Sequence, residues 1–281
     1  MDVLLKFAAF DLDGTLLGPA GDVLPGVSAG ISRLKQQGLR CYIVSGRRYY
    51  RFLALGLSGR VLAEFEPIVL LNDGDVVWDA RHDSLTVLRR LPADIPERLK
   101  APCPHFVVEA GDRNVASTRV AALRFAMLYG VPRSLVAIGQ VEPDQPVSTV
   151  VAFAEASKVR DILDDVPCRI EAVRGTEASV IRPSGSCKAA ALAHRLAVDF
   201  NEPDLRHVIS FGDSENDRCL LRTSGHGVAV LECDTATAHY ADDHLQIPLG
   251  SYLGRLETSH LSSLSASFTC EHVDSWSVHE F

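Results

Sequence analysis

The chain has 281 residues, 47% of them hydrophobic, with a net charge of −8 and a pI near 5.7. That length and apolar content fill one large or two ordinary domains and exclude an intrinsically disordered chain. The acidic balance excludes a protein that grips nucleic acid by its phosphates, and no apolar span approaches the roughly 20 residues of a membrane helix.

The opening residues Met1-Asp2-Val3-Leu4-Leu5-Lys6 carry an acid where a secretory signal wants positive charge, so a cytoplasmic protein with no membrane partner is expected. Seven cysteines, at 41, 103, 168, 187, 219, 233 and 270, are scattered and form no Cys-x-x-Cys pair. They read as reduced thiols, not as a disulfide framework or a zinc site.

The first element is the apolar run Phe7-Ala8-Ala9-Phe10, which ends in Asp11-Leu12-Asp13-Gly14. A short continuous apolar run bounded by glycine reads as a buried strand of a parallel sheet. Ligands bind beyond the carboxyl ends of such strands, so Asp11 and Asp13 stand where a reacting group can sit, if they are not merely a surface turn. In extended backbone their side chains leave on opposite sides, which suits a division of labour: one acid attacks or binds metal, the other carries a proton.

A helical stripe at Val27, Ile31 and Leu34 stops at Gly38, and residues 39–44 form a second buried strand. Strand, helix, strand is a βαβ unit, whose right-handed crossover makes the strands parallel. Ser45 then lies on the same edge as Asp11. Ser45-Gly46-Arg47-Arg48 opens a helix expected over 49–57. Two arginines there oppose the helix dipole, so an anion nearby would explain them. A hydroxyl, free helix-start amides and an arginine make a phosphate site, while Ser45 as a plain N-cap is the alternative.

Residues 67–71 form a third strand, Asn72-Asp73-Gly74 is a turn, and Val76-Val77-Trp78 is its hairpin return. The pattern then changes. Short β-like runs at 105–109, 114–120, 148–154, 169–173 and 178–181, with helical stripes at 121–129 and 155–165, indicate an inserted α+β domain with an antiparallel sheet. The parallel pattern resumes with a helix over 186–199 that carries Lys188, a strand over 207–211, and Gly212-Asp213-Ser214-Glu215-Asn216-Asp217. Three acids on that loop repel one another unless a cation sits among them, and a hard ion such as Mg²⁺ suits oxygen ligands. An acidic helix start is the plainer alternative. A further strand follows at 227–230; the serine-biased segment 259–267 and the histidines at 260, 272 and 279 suggest no role.

Asp-Leu-Asp-Gly-Thr-Leu at 11–16 resembles the first motif of the haloacid dehalogenase-like hydrolases, mostly magnesium-dependent phosphatases that work through an aspartyl-phosphate. Ser45-Gly46-Arg47 is similar to the second motif, Lys188 within Pro183-Ser-Gly-Ser-Cys-Lys188 to the third, and Gly-Asp-x-x-x-Asp at 212–217 to the fourth. The insertion between the second and third motifs resembles the Cof-like, type IIB branch. That resemblance implies an α/β fold with a Rossmann-like parallel-sheet core (1–80 and 184–281) and an inserted cap (81–183) that chooses the substrate. Val180 and Arg182 depart from the branch's usual residues before the Pro-x-Gly, so its substrate choice is not carried over.

The resemblance further implies roles. Asp11 is the nucleophile, Asp13 the acid and base, and Ser45 and Lys188 neutralise the phosphoryl group. Asp11, Asp13 (through its carbonyl), Asp213 and Asp217 hold Mg²⁺, while Gly46, Arg47, Asn72 and Asn216 contact substrate or phosphate. The expected activity is phosphatase action on a small phosphorylated metabolite, a sugar phosphate first, by a monomer or homodimer. A phosphomutase of the same fold and a catalytically silent binding homologue are the alternatives.

Overall fold

The computed structural model describes residues 4–142 and 144–257; the serine-biased segment, the last three histidines and Cys270 lie outside them. The chain divides into two compact units, Met1–Arg48 with Leu55–Ser84 and Cys187–Phe281, and Tyr49–Ala54 with Leu85–Ser186.

In chain order the elements begin with β1 (Phe7–Phe10), α1 (Val27–Gln36), β2 (Arg40–Val44), α2 (Tyr49–Leu53), α3 (Gly59–Leu62), β3 (Ile68–Leu71), β4 (Val76–Asp79) and β5 (Ser84–Val87). Next come α4 (Ile95–Lys100), β6 (Phe106–Ala110), β7 (Arg113–Ala116), α5 (Arg119–Tyr129), β8 (Val136–Ile138), β9 (Val147–Ala152), α6 (Ala156–Ile162), β10 (Cys168–Val173) and β11 (Ala178–Pro183). The last are α7 (Lys188–Phe200), β12 (Val208–Gly212), α8 (Arg218–Thr223), β13 (His226–Ala229), α9 (Thr235–Ala238), β14 (Asp243–His244) and α10 (Leu249–Leu253).

The first sheet runs β14-β13-β12-β1-β2-β3-β4-β5 and is parallel from β14 through β3, with β4 turning back antiparallel to β3. β1 lies at its centre because both of its faces are covered, and all four residues are buried. Each fully buried Phe contributes roughly 1.5–3 kcal/mol. Phe10 stacks on Phe211 at 4.7 Å between ring centroids. Register does the rest: Phe10 pairs with both Ile43 and Phe211, so the residues just beyond, Asp11, Ser45 and Asp213, emerge along one edge.

The second sheet, β10-β11-β9-β6-β7-β8, is antiparallel except that its edge strand β8 runs parallel to β7, a departure from the all-antiparallel expectation. Phe106, Val108 and Val150 pack with Ile95, Leu99 and Val159 of α4 and α6. The alternate residues Val107 and Val151 pack with Ala121, Ala122 and Phe125 of α5. Two covered faces explain why β6 and β9 read as continuous apolar runs although they are antiparallel.

Local chemistry corrects several boundaries. The helix expected over 49–57 stops at Leu53: Gly56 takes φ +58°, and α3 restarts with the Ser58 hydroxyl accepting from Val61 N at 3.4 Å. The strand expected over 114–120 ends at Ala116, because Thr118 accepts from Ala121 N at 3.1 Å and so caps α5. The short elements α4, β5, β8, α9, β14 and α10 were not legible. No helix of the described residues is long and apolar enough to cross a membrane.

Candidate active site

Beyond Phe10 the chain turns at once. Leu16 N and Leu17 N donate to Leu12 O at 3.0 and 2.8 Å, and Gly14 takes φ +80°. The turn separates two acids that an extended strand would merely alternate. Asp11 is 4% exposed, whereas the Asp13 side chain is 53% exposed. A Cβ on Gly14 would collide with the Asp213 carboxylate, so only glycine lets this turn press against the loop after β12. Thr15, fully buried, donates its hydroxyl to Asp213 Oδ1 at 3.3 Å.

Lys188 opens α7, four of whose alanines (Ala189, Ala190, Ala191, Ala193) are buried and let the helix sit close to the sheet edge. Its ammonium is fully buried and donates to Asp11 Oδ1 at 2.5 Å and to Asp217 Oδ1 at 2.7 Å. Burial alone would push the Lys188 amine down, but Asp11, Asp217 and Asp73 outweigh it and raise the amine above its ordinary value. Those carboxylates hold a cation in a first helical turn, where the dipole alone would disfavour it.

Asp217 is equally engaged on its other side. Its Oδ2 accepts from the amides of Asp213 and Ser214, both at 3.1 Å, in a capping box that starts the turn into α8. Ser214 is the cap. Carboxylate oxygens of Asp11, Asp213 and Asp217 lie within 4.8 Å of one another.

One ammonium thus faces three carboxylates. Burial, then the repulsion of Asp217 and Asp213 that the Lys188 charge only partly offsets, lifts Asp11 to about 7. Burial and the Asp217 charge lift Asp213 to about 6. Carboxylates held that far above their ordinary value lack positive charge. The cluster therefore fits a divalent cation, with Asp11 and Asp213 as the needy ligands and Asp217 reaching it only through an oxygen shared with Lys188 or the amides.

Ser45 is buried at the end of β2, and its Oγ accepts from Arg47 N at 3.1 Å, the geometry of a local turn that leaves the hydroxyl proton to donate. An anion beside the arginines is supplied by the chain itself. Arg47 forks onto Asp13, with Nε to Oδ2 at 2.6 Å and the second arm onto Oδ1. Both arginines precede α2, a helix of five residues, so the dipole objection falls away. Asn72 is buried in a turn with φ +54°, and its amide donates to Arg47 O at 3.0 Å. Asn216 donates to Asp73 Oδ1 and accepts from Ser214 Oγ, each at 2.8 Å. The structure thus gathers Asp11, Lys188, Asp213 and Asp217 into one cluster. Asp13 and Arg47 form a second pair, and Asn216 turns to Asp73, a residue read in the sequence only as part of a turn. Nothing in Asn72-Asp73-Gly74 signals that the middle carboxylate returns to the site.

The family model of the haloacid dehalogenase-like hydrolases matches residues 8–245, a span that takes in every one of these groups. The chain belongs to that family. Among curated proteins, this hydrolase is 25% identical to the HMP-PP phosphatase of Serratia proteamaculans over 89% of its own length and 98% of the relative's. It is 26% identical to the pyridoxal phosphate phosphatase of Escherichia coli, over 82% of this chain and 89% of that one. Its fold is that of a solved subclass IIB sugar phosphatase of the same superfamily: TM-score 0.65 at 16% identity, over 89% of this chain and 98% of the other. Like that protein, the hydrolase combines a Rossmann-like core with an inserted α+β domain.

Proposed function

We propose that this hydrolase is a magnesium-dependent phosphatase that splits a small phosphorylated metabolite through an aspartyl-phosphate on Asp11. The observation that carries the reading is the burial of Asp11 against the Lys188 ammonium, 2.5 Å away, at the edge where three strand ends meet. A carboxylate fixed there has its charge partly cancelled and its position set, as attack on an anionic phosphoryl group requires.

In the first step the Asp11 carboxylate bonds to phosphorus and the bond to the leaving oxygen breaks. Asp13, on the exposed side of the turn, gives that oxygen its proton. In the second step Asp13 takes a proton from water, the water oxygen bonds to phosphorus, and the bond to Asp11 breaks to release inorganic phosphate. The Ser45 hydroxyl and Lys188 hold the phosphoryl oxygens throughout. Mg²⁺ would be held by Asp11, Asp213, Asp217 and the Asp13 carbonyl, and when bound it supplies charge neutralisation for the phosphoryl group.

The phosphatase names of the two curated relatives support hydrolysis of a phosphorylated small molecule, and the subclass IIB neighbour supports a sugar phosphate as the first class to try. We assign substrate choice to the second unit. A panel of phosphorylated metabolites, with inorganic phosphate measured in the presence of Mg²⁺ or a chelator, tests the assignment. Turnover of at least one ester, lost on chelation, is expected; no release across sugar phosphates, pyridoxal phosphate and nucleotides would overturn it.

A further inference from the structure

We infer that Asp73 is a positioning residue of this site: it holds Asn216 across Gly46 and so fixes the phosphate-facing loop after β2 against the loop after β12. The inference deepens the phosphatase reading and rests on it.

The tip between β3 and β4 has an unusual backbone. Asn72 and Asp73 both take left-handed conformations, φ +54° and +56°. Asn and Asp enter that region more readily than other side chains, yet two in succession persist only where surrounding bonds enforce them. Here they do. Asn72 N donates to Arg47 O at 3.0 Å and Asp73 N to Ser45 O at 3.1 Å, so the tip is stitched residue by residue to the loop that carries Ser45 and Gly46.

The stitching aims the Asp73 side chain. Its carboxylate is 7% exposed, and Oδ1 accepts from Asn216 Nδ2 at 2.8 Å. Asn216 Oδ1 in turn accepts from Ser214 Oγ at 2.8 Å, which extends the chain of bonds to the capping box around Asp217. Gly46 lies under the bridge. A Cβ there would come within 2.7 Å of Asp73 Oδ1 and 2.8 Å of Asn216 Nδ2, so the bridge and any side chain at 46 exclude each other.

Two consequences follow. Asn216 donates one N–H to Asp73 and accepts from Ser214 Oγ, so it serves as a strut between loops. The Ser45-Gly46 backbone is then tied to the Asp213–Asp217 loop through a hydrogen bond on a buried carboxylate acceptor, the strong kind. Loosening it widens the place where phosphoryl oxygens must fit.

The test compares D73A, D73N, N216A and the double variant D73A/N216A with the wild type in holoenzyme with Mg²⁺. Readouts are kcat and KM on the best ester of the panel, and calorimetric binding of inorganic phosphate. D73A is expected to lower kcat and phosphate affinity each by roughly tenfold, with N216A similar and the double variant no worse than either single, because one bond is being removed. D73N keeps an acceptor for Asn216 Nδ2 and should restore both to within about threefold. Wild-type kcat and phosphate affinity in D73A, or additive losses in the double variant, would overturn the inference. So would equal losses in D73N and D73A. Phosphate binding separates the two readings: if the wild type binds phosphate but cleaves no ester, the phosphatase reading fails while the D73A binding loss still decides the bridge.

Discussion

Asp11 and Asp13 are two residues apart and chemically alike, yet the fold gives them opposite surroundings. Asp11 is buried, held by a buried ammonium and lifted to about 7. Asp13 is half exposed and gripped by an arginine fork. The turn over residues 12–17 is the cause, and it gives a repeat of one residue type two environments. A dry carboxylate with its charge partly cancelled suits attack on phosphorus. A wet one suits exchange of protons with a leaving group and water.

The hardest blow to this contrast is D11N. It keeps size and a hydrogen-bond acceptor but removes the proposed nucleophile, so turnover should fall by about 10⁴-fold or more, to the assay floor. Circular dichroism should remain that of the wild type. Retained magnesium-dependent phosphate release would move the nucleophile elsewhere.

K188M attacks the same side from its partner. It removes the ammonium that donates to Asp11 and Asp217, and turnover should drop by roughly 10³-fold. Without that cation the Asp11 carboxyl rises further, so residual activity should need higher pH than the wild type. An unchanged pH profile would mean that Lys188 does not govern Asp11.

D13N tests the exposed side. The loss should be about 10²-fold on an alkyl phosphate but far smaller on p-nitrophenyl phosphate, whose leaving group needs little protonation. Equal losses on both esters would remove Asp13 from acid catalysis.

Metal and pH probe the dry cluster without mutation. Asp11 and Asp213 are raised from 3.8 to about 7 and about 6, so their protonated forms favour the fold. That stabilisation is complete below the unfolded value and is lost as pH rises through the folded one. Chelated protein should therefore lose Tm steadily from about pH 4 to about pH 7. Mg²⁺ binding needs the ionised carboxylates, so its stabilisation should grow across the same window, reaching roughly 5 °C at pH 8 at saturating metal. A Mg²⁺ effect equal at pH 4.5 and pH 8 would detach the cation from these two acids.

The contrast also explains what the sequence could and could not reveal. Asp11, Ser45 and Asp213 were legible because each follows an apolar run, and parallel register carries such ends to one edge. Lys188 was legible only by resemblance. A lysine in a first helical turn is unremarkable until Asp11 and Asp217 are seen against it. Asp73 was hidden because Asn-Asp-Gly is turn chemistry, and only tertiary stitching to Ser45 and Arg47 aims its side chain. The pairing of Arg47 with Asp13 was half visible: the cluster of arginines demanded an anion, and the nearest one belonged to the chain itself. Short elements such as α4 and β8 escaped because three to six residues give too little periodicity to set against proline and turn signals.

The smallest effect, and the sharpest on the exposed side, is expected from R47K. A lysine keeps the charge near Asp13 but cannot make two parallel bonds, so the Asp13 carboxylate is held by one point instead of a fork. If the fork orients Asp13 toward the leaving oxygen, kcat on an alkyl phosphate should fall about fivefold to tenfold, KM should change little, and p-nitrophenyl phosphate should be nearly unaffected. Because Asp13 is half exposed, stability should hardly move. A rise in KM with kcat intact would instead place the guanidinium on the substrate phosphate, the partner first expected for it from the sequence. R47K combined with D13N separates the two cases: on an alkyl phosphate the pair should be no slower than D13N alone if Arg47 acts through Asp13, and slower if it grips the phosphate itself.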